Sequence, residues 1–492
     1  MSLLINPYRF STGGGAALVS DTISVDLSTA TDADLTVDVE DWDRIVVRSS
    51  NLINSGGNPG LWYSYPGGVK QNATDSYYWQ NCNQNSDNNS KYTGGVIATG
   101  QVSGQRTQIL GEIWGFDSSQ NVCSWFNSGQ SSTNTNADHA SQGRINGYAT
   151  ITKIQVLDAA FWSSGTVYID RIKDGTVVKG DHNFATGSLN TPYNFTTTGS
   201  PDFFYHNQTN TDCPGTSSSL GFELSDDSFA TTESNIYSDS NLTYNVSLWR
   251  NYGSTHTFGN KVNRDTTNVR YVTHSAVGFN GARQAWHGHQ GDGTRAYSLP
   301  ATSGLTNALT GIRFESNNVS NPFTTGRMSY QYGSWAAQTE STGTASAASD
   351  ISLTSISGYH EAVIAIPSFS QGSGNCVVQV DVGSGWETTN ADYRNSYWYE
   401  AAAAGNNTST WPGGAIVNAG TSNRVSGRVF GLNAPGPVMG INYALISSAN
   451  TEIVSRVWAF EGNIVDPVVG IRVIPSSGSI TGTYSLQAGE YA

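Results

Sequence analysis

An all-β chain of three tandem jelly-roll-like antiparallel β-sandwich domains, behind a short N-terminal anchor, is what this sequence predicts. The first observation is a pattern that occurs three times: ITKIQVLDAAFWSSGTVYIDRI at Ile151–Ile172, LTGIRFESNNVSNPFTTGRMSYQYG at Leu309–Gly333 and VVGIRVIPSSGSITGTYSLQAG at Val468–Gly489. Each copy alternates around a branched residue (Ile154, Ile312, Ile471), passes a polar loop and a glycine (Gly165, Gly326, Gly482), and alternates again. A period of two puts every second side chain on one face, so each copy reads as a β-hairpin. The second observation is spacing. Ile312 stands 158 residues after Ile154, and Ile471 stands 159 after Ile312. That is far longer than a solenoid repeat of roughly 20–50 residues and matches a whole domain. The third is composition: 13% charged residues, 11% aromatics and 54 glycines suit short strands joined by polar turns. No sustained 3.6-residue periodicity opposes this; the run Ala401–Ala404 stops at Gly405.

In chain order, residues 1–20 form the anchor and its glycine hinge. Leu4, Ile5, Asn6, Pro7, Tyr8, Arg9 and Phe10 precede Gly13–Gly15, too short a stretch to build a core. It reads either as a strand added to the first sheet or as a plug for a partner. The first domain is read at 21–175, opening with LTVDV at Leu35–Val39 and WDRIVVRSS at Trp42–Ser50. The second, at 185–335, is the most divergent, with FFYHN at Phe203–Asn207 in the equivalent place. The third, at 349–492, opens with Ile351–Ile356 and Tyr359–Phe369. Two further signatures recur. SYYWQN from Ser76 aligns with SNIYSD from Ser234 and SYWYEA from Ser396, and Gly115–Trp125 aligns with Val277–Gly288 and Ile446–Phe460. Asp174–Asn190 and Trp335–Ser349 read as polar linkers.

The net charge of −14 without basic clusters argues against nucleic acid and anionic membranes as partners. No stretch is long enough for membrane insertion, and MSLLINPYRF lacks the basic and apolar regions of a signal peptide, so synthesis without export is expected. Cys82, Cys123, Cys213 and Cys376 occupy unrelated places in the repeats and show no CxxC spacing, which favours free thiols.

Candidate chemistry is sparse. Glu112, in GEIWGF, is the one suggestive carboxylate, but its equivalents fall near Arg270 and Val429, so no catalytic position is shared and no enzyme is expected. Asp32, Asp34, Asp38, Glu40, Asp41 and Asp43 alternate with apolar residues as a solvent face; a structural Ca2+ is the sharper alternative. His287 and His289, two apart in WHGH, are a weak metal candidate without further ligands. The aromatics Trp62, Tyr63, Tyr78, Trp79, Trp125, Trp286, Trp398 and Tyr399 exceed what alternation alone buries. They read either as rings presented to a sugar or as seals between domains or subunits.

The start LLINPYRF, the strand DRIVVRSS and the hairpin TKIQV…SSGTVYIDRI resemble structural proteins of tailed bacteriophages, in particular virion-surface and tail-fibre β-sandwich modules. The likeness covers the N-terminal tag and the recurrent hairpins. It implies a virion-surface protein made in the host cytoplasm and held to other virion proteins through its N-terminus. It further implies a homo-oligomer whose favoured role is tail-fibre adhesion to a host cell-surface glycan. Head decoration is the alternative within this class. A stand-alone carbohydrate-binding protein, or the non-catalytic part of a glycan-degrading enzyme, is the alternative outside it. Coiled-coil heptads and β-helix stretches, by which long fibres trimerise, are missing from the sequence.

Overall fold

In this computed structural model the described residues are 20–491 without 57–59, 74–76, 83–86, 99–102, 131–138, 146–148, 175–176, 184–192, 197–200, 213–218, 226–235, 239–240, 243–258, 264–269, 278–284, 292–295, 299–300, 304–309, 317–324, 400–404, 408–412, 418–421, 448–451 and 463–466; in several strands only the backbone is described. The anchor from Leu4 to Phe10 lies outside them.

The chain is all-β, with antiparallel sheets of which none closes on itself among the described residues. The first large sheet runs, neighbour by neighbour, Ser20–Asp26, Thr166–Ile172, Arg44–Asn54, Arg106–Trp114, Cys123–Gln130, His139–Ile145, Tyr77–Cys82 and Asp87–Tyr92. A four-stranded sheet of Thr36–Asp38, Ile151–Val156, Gly60–Pro66 and Gly95–Ala98 covers one of its faces. The same order recurs. The second large sheet begins Val177–Asn183, Thr325–Gly333, Phe203–Asp212, Arg270–Val277, and the third begins Ala337–Ala348, Gly470–Glu490, Glu361–Asp381, Ser422–Phe430. In the third copy two strands of 21 residues, Glu361–Asp381 and Gly470–Glu490, also pair with Ile351–Thr354 and Gly414–Val417, so all its described strands belong to one ten-stranded sheet.

Two expectations about the linkers are corrected. Asp174–Asn190 contains the strand Val177–Asn183 and Trp335–Ser349 contains the strand Ala337–Ala348, each the edge strand of the sheet that follows. An edge strand whose side chains are mostly only partly covered needs few apolar residues (Ala345 is the buried one), which is why AQTESTGTASAA resembles a linker.

Register makes the repeats superimposable residue by residue. Arg44 pairs with Trp114 and Ile172, Phe203 with Val277 and Gly333, and Glu361 with Phe430 and Gly489. A bulge follows at the equivalent points Ser49, Gln208 and Ile366. Beside it lie the glycines of the repeated hairpin, Gly165, Gly326 and Gly482, all at positive φ (106°, 112° and 149°). A Cβ on Gly165 would stand 2.2 Å from the Asn51 carbonyl oxygen. The bulge bends the strand from one sheet toward the other, and only glycine fits beneath the bend. Gly165→Ala should therefore cost about 3 kcal/mol in urea unfolding. Gly67→Ala, at φ 59° with no atom within 4 Å of the new carbon, should cost about 1 kcal/mol. Equal losses at the two positions would contradict the packing argument.

Register also moves two of the repeat alignments. Tyr77 corresponds to Tyr393, not to Tyr397. Each hydroxyl accepts from the backbone N–H thirteen residues upstream (Ser64 at 2.8 Å, Val380 at 3.2 Å) and donates to the carbonyl six residues upstream (Gln71 at 3.0 Å, Glu387 at 3.3 Å). Gly115 corresponds to Gly431, both at positive φ, so the third copy of that loop is 431–437 and not Ile446–Phe460.

The cores explain the patterning. Ile45, Val47, Ile109 and Ile113 point into the first sandwich with Trp62, Ile154 and Ile169. Ile364, Ile366, Val378, Val425 and Leu486 do the same in the third. The opposite faces are buried as well. Val46, Leu110, Trp114 and Trp125 of the first large sheet pack with Phe203 and Tyr205 of the second and with Val363, Phe430, Ile441 and Tyr491 of the third. The three large sheets thus share an interior, and the repeats are not strung out like beads. The apolar run AVIAI at Ala362–Ile366 is the sequence mark of a strand buried on both faces.

Candidate functional site

In the shared interior, alternation places charged side chains where the sequence pattern suggests solvent. Arg44 and Arg48 flank Val46 on the strand Arg44–Asn54, while Glu112 lies between Leu110 and Trp114 on its neighbour. All three charged residues are fully buried. Glu112 accepts from five donors: Arg44 Nη1 at 2.7 Å, Arg428 Nη1 at 2.5 Å, Arg428 Nη2 at 3.1 Å, Tyr205 Oη at 2.9 Å and Trp125 Nε1 at 2.7 Å. Arg44 also grips Asp174 through Nε at 2.7 Å and Nη2 at 3.1 Å, and it reaches Glu361 at 3.3 Å. Glu361 takes further bonds from Arg428 at 3.1 Å and from the Tyr491 hydroxyl at 3.3 Å. Side chains from all three large sheets meet here.

The electrostatics follow from burial and pairing. Burial alone would raise the Glu112 carboxyl, but Arg428 and Arg44 outweigh it and hold the group below the usual carboxylate range. At Asp174 burial wins over Arg44, and the carboxyl is pushed up to about 6. Burial opposes the charge on Arg44 too, yet Asp174, Tyr205 and Glu361 raise it well above its ordinary value. Two arginines thus balance Glu112 and Glu361, with Asp174 adding a negative charge only above about pH 6. A carboxylate with five donors and no exposed surface has no site left for a substrate, so in this arrangement Glu112 is an organiser of packing.

Around this centre the sheets dock by equivalent contacts. Asn207, equivalent to Arg48, donates to the Asn121 carbonyl at 3.4 Å, and Arg48 donates to the carbonyl of Pro437, equivalent to Asn121. Gln120 Nε2 reaches the Tyr330 carbonyl at 3.0 Å, and Lys179 Nζ pairs with Asp43 at 2.6 Å.

The sequence candidates fare as follows. Trp62 is fully buried, its ring edge-on to Tyr77 and its Nε1 donating to Ser124 Oγ at 2.9 Å. Tyr63 is buried with Leu61 and Val96, and Lys70 caps its ring at 4.0 Å. Trp125 is buried in the shared interior. All three rings are thus buried, Trp62 inside the first sandwich, Tyr63 beside Leu61 and Val96, and Trp125 between the large sheets. For Tyr78, Trp79, Trp286, His287, His289, Trp398 and Tyr399 the strands are placed, but the side chains lie outside the described residues. In the acidic run, Leu35, Val37 and Val39 are buried while Asp38, Glu40 and Asp41 are exposed. Among the described residues no group of three metal-ligating side chains occurs. Cys123 and Cys376 are buried; Cys213 and the Cys82 side chain lie outside the described residues. Register places Ser275 and Arg428 at the position of Glu112, not Arg270 and Val429. In the third repeat the shift is a single residue, and it sets the carboxylate against its own equivalent, Arg428, across the interior.

No protein-family model matches the chain, and no curated protein is similar to it. Solved structures align only remotely. Pseudomonas aeruginosa OccK8 (OprE) shows 10% identity over 92% of this chain and 98% of its own, with a TM-score of 0.13. A GH43 protein, BlXynB from Bacillus licheniformis, shows 8% identity over 52% of this chain and 63% of its own, with a TM-score of 0.14. Neither likeness carries an argument about fold or function.

Proposed function

We propose that this chain is a non-enzymatic virion-surface protein of a tailed phage, in which three jelly-roll-like sandwiches close into one knob behind the N-terminal anchor. The observation that carries this reading is the use of the large sheets' faces. They are turned on one another and tied by buried charges, which suits a rigid scaffold exposing edges and loops. A knob on a short anchor suits a tail-associated receptor-binding role toward host glycan, with the outer loops as the contact surface. Head decoration is the second reading. It gains from the burial of Trp62, Tyr63 and Trp125, since these rings no longer supply a sugar platform.

The test is localisation on purified particles with gold label against the third repeat. Label at the tail supports adhesion, and label spread over the head supports decoration. A chain found on no particle overturns the reading.

A further inference from the structure

The charges in the shared interior sit at repeat-equivalent positions with opposite signs. One position is Arg44 in the first repeat, Phe203 in the second and Glu361 in the third; the other is Glu112, Ser275 and Arg428. Each charge meets its own equivalent across the interior: Arg44 with Glu361 at 3.3 Å and Glu112 with Arg428 at 2.5 Å. All four side chains are at most 1% exposed. Meanwhile the Arg48–Pro437 and Asn207–Asn121 contacts show two neighbouring interfaces built from the same pair of positions. Interfaces so alike are nearly interchangeable in shape. A non-equivalent repeat from a second copy of the chain, such as a first repeat in the third repeat's place, then fits the same shape.

We propose that this sign pattern is a pairing code, which makes the first and third repeats of one chain partners and rejects like repeats from another chain. A first repeat in the third repeat's place would set Arg44 against Arg44 and Glu112 against Glu112 away from water, a desolvated like-charge contact. The uncharged pair Phe203 and Ser275 leaves the second repeat outside the code, with Tyr205 donating to Glu112 at 2.9 Å. Apolar side chains would join the sheets at least as strongly as buried ions do, so discrimination is what the ions add.

The experiment uses two full-length preparations with different affinity tags, mixed, unfolded, refolded together and captured through one tag. The wild type should show no more mixed species after co-refolding than after mixing of native protein. A neutralised chain (Arg44→Met, Arg428→Met, Glu112→Gln, Glu361→Gln and Asp174→Asn) keeps hydrogen-bond acceptors for Trp125, Tyr205 and Tyr491. Its mixed fraction should rise about tenfold, the ratio that 1.4 kcal/mol of lost discrimination produces. A neutralised chain that refolds with native circular dichroism and exchanges no more than the wild type overturns the proposal. Should the fivefold variant not refold, Glu112→Gln with Arg428→Met decides by the same measure, because Arg44 there keeps Asp174 and Glu361.

Discussion

Glu112→Ala is expected to lower the stability of the chain by about 3–5 kcal/mol, the largest loss for any single truncation in the shared interior. The reason is what remains. Arg428 loses two bonds to the removed carboxylate and keeps Glu361, while Arg44 keeps Asp174 and Glu361. Arg428 is left sharing the Glu361 carboxylate with Arg44, so its charge is poorly compensated in a place water does not reach. Trp125 Nε1 and the Tyr205 hydroxyl lose an acceptor at the same time. Adding Arg428→Met to Glu112→Met should recover much of the loss, because that pair of changes removes the uncompensated charge as well as its partner. Chemical denaturation of the two singles and the double gives the coupling as a double-mutant cycle. Additive losses would mean that the carboxylate and the guanidinium do not depend on one another, and the account of the interior would fail.

The hairpins, the repeat spacing and the glycines were legible because they follow from local chemistry. Gly165, Gly326 and Gly482 mark a backbone shape that no other residue adopts cheaply, so they stand out at any level of divergence. Ile154 and Ile471 mark the covered face of a strand, a period-two signal that needs no knowledge of the rest of the fold. The edge strands Val177–Asn183 and Ala337–Ala348 were not legible. A strand bonded on one side and mostly only partly covered has the composition of a linker.

The charge network was hidden for a different reason. In DRIVVRSS the arginines fall on the face opposite Ile45 and Val47, where a single sandwich would leave them in water. Only the packing of sheet on sheet buries them, and that is a contact between residues such as Arg44 and Glu361, 317 positions apart. The available signal was on their neighbours. Val46, Leu110, Trp114, Val363 and Ala365 are apolar on that same face, and apolar residues on both faces of a strand require a second partner. Of the aromatics expected to exceed what alternation buries, Trp125 joins the first sheet to the others and Trp62 fills its own sandwich.

His206 sets the second expected effect, and its sign depends on a competitor. The imidazole lies on the sandwich side of the strand Phe203–Asp212, buried, tilted over Phe204 at 5.7 Å and opposite His274 and Tyr330 in the ladder. Burial lowers its pKa from 6.5 to about 3. Below pH 6.5 the unfolded chain therefore takes up a proton that the folded chain refuses. Stability is fully present above 6.5 and is lost as pH falls, by about 1.4 kcal/mol per unit once well below 6.5. Asp174 works the other way. Its carboxyl is raised from 3.8 to about 6, so its contribution is fully present below 3.8 and is lost as pH rises through about 6. Between pH 4 and 6 the two contributions oppose each other, so the wild-type profile alone separates neither. Single substitutions separate them. With His206→Phe the stability should rise as pH falls from 6 to 4, and with Asp174→Asn it should fall over the same window. Urea midpoints at pH 4, 5, 6 and 7 for the three chains measure this, and parallel profiles for wild type and His206→Phe would show that the buried imidazole is not the group that resists protonation.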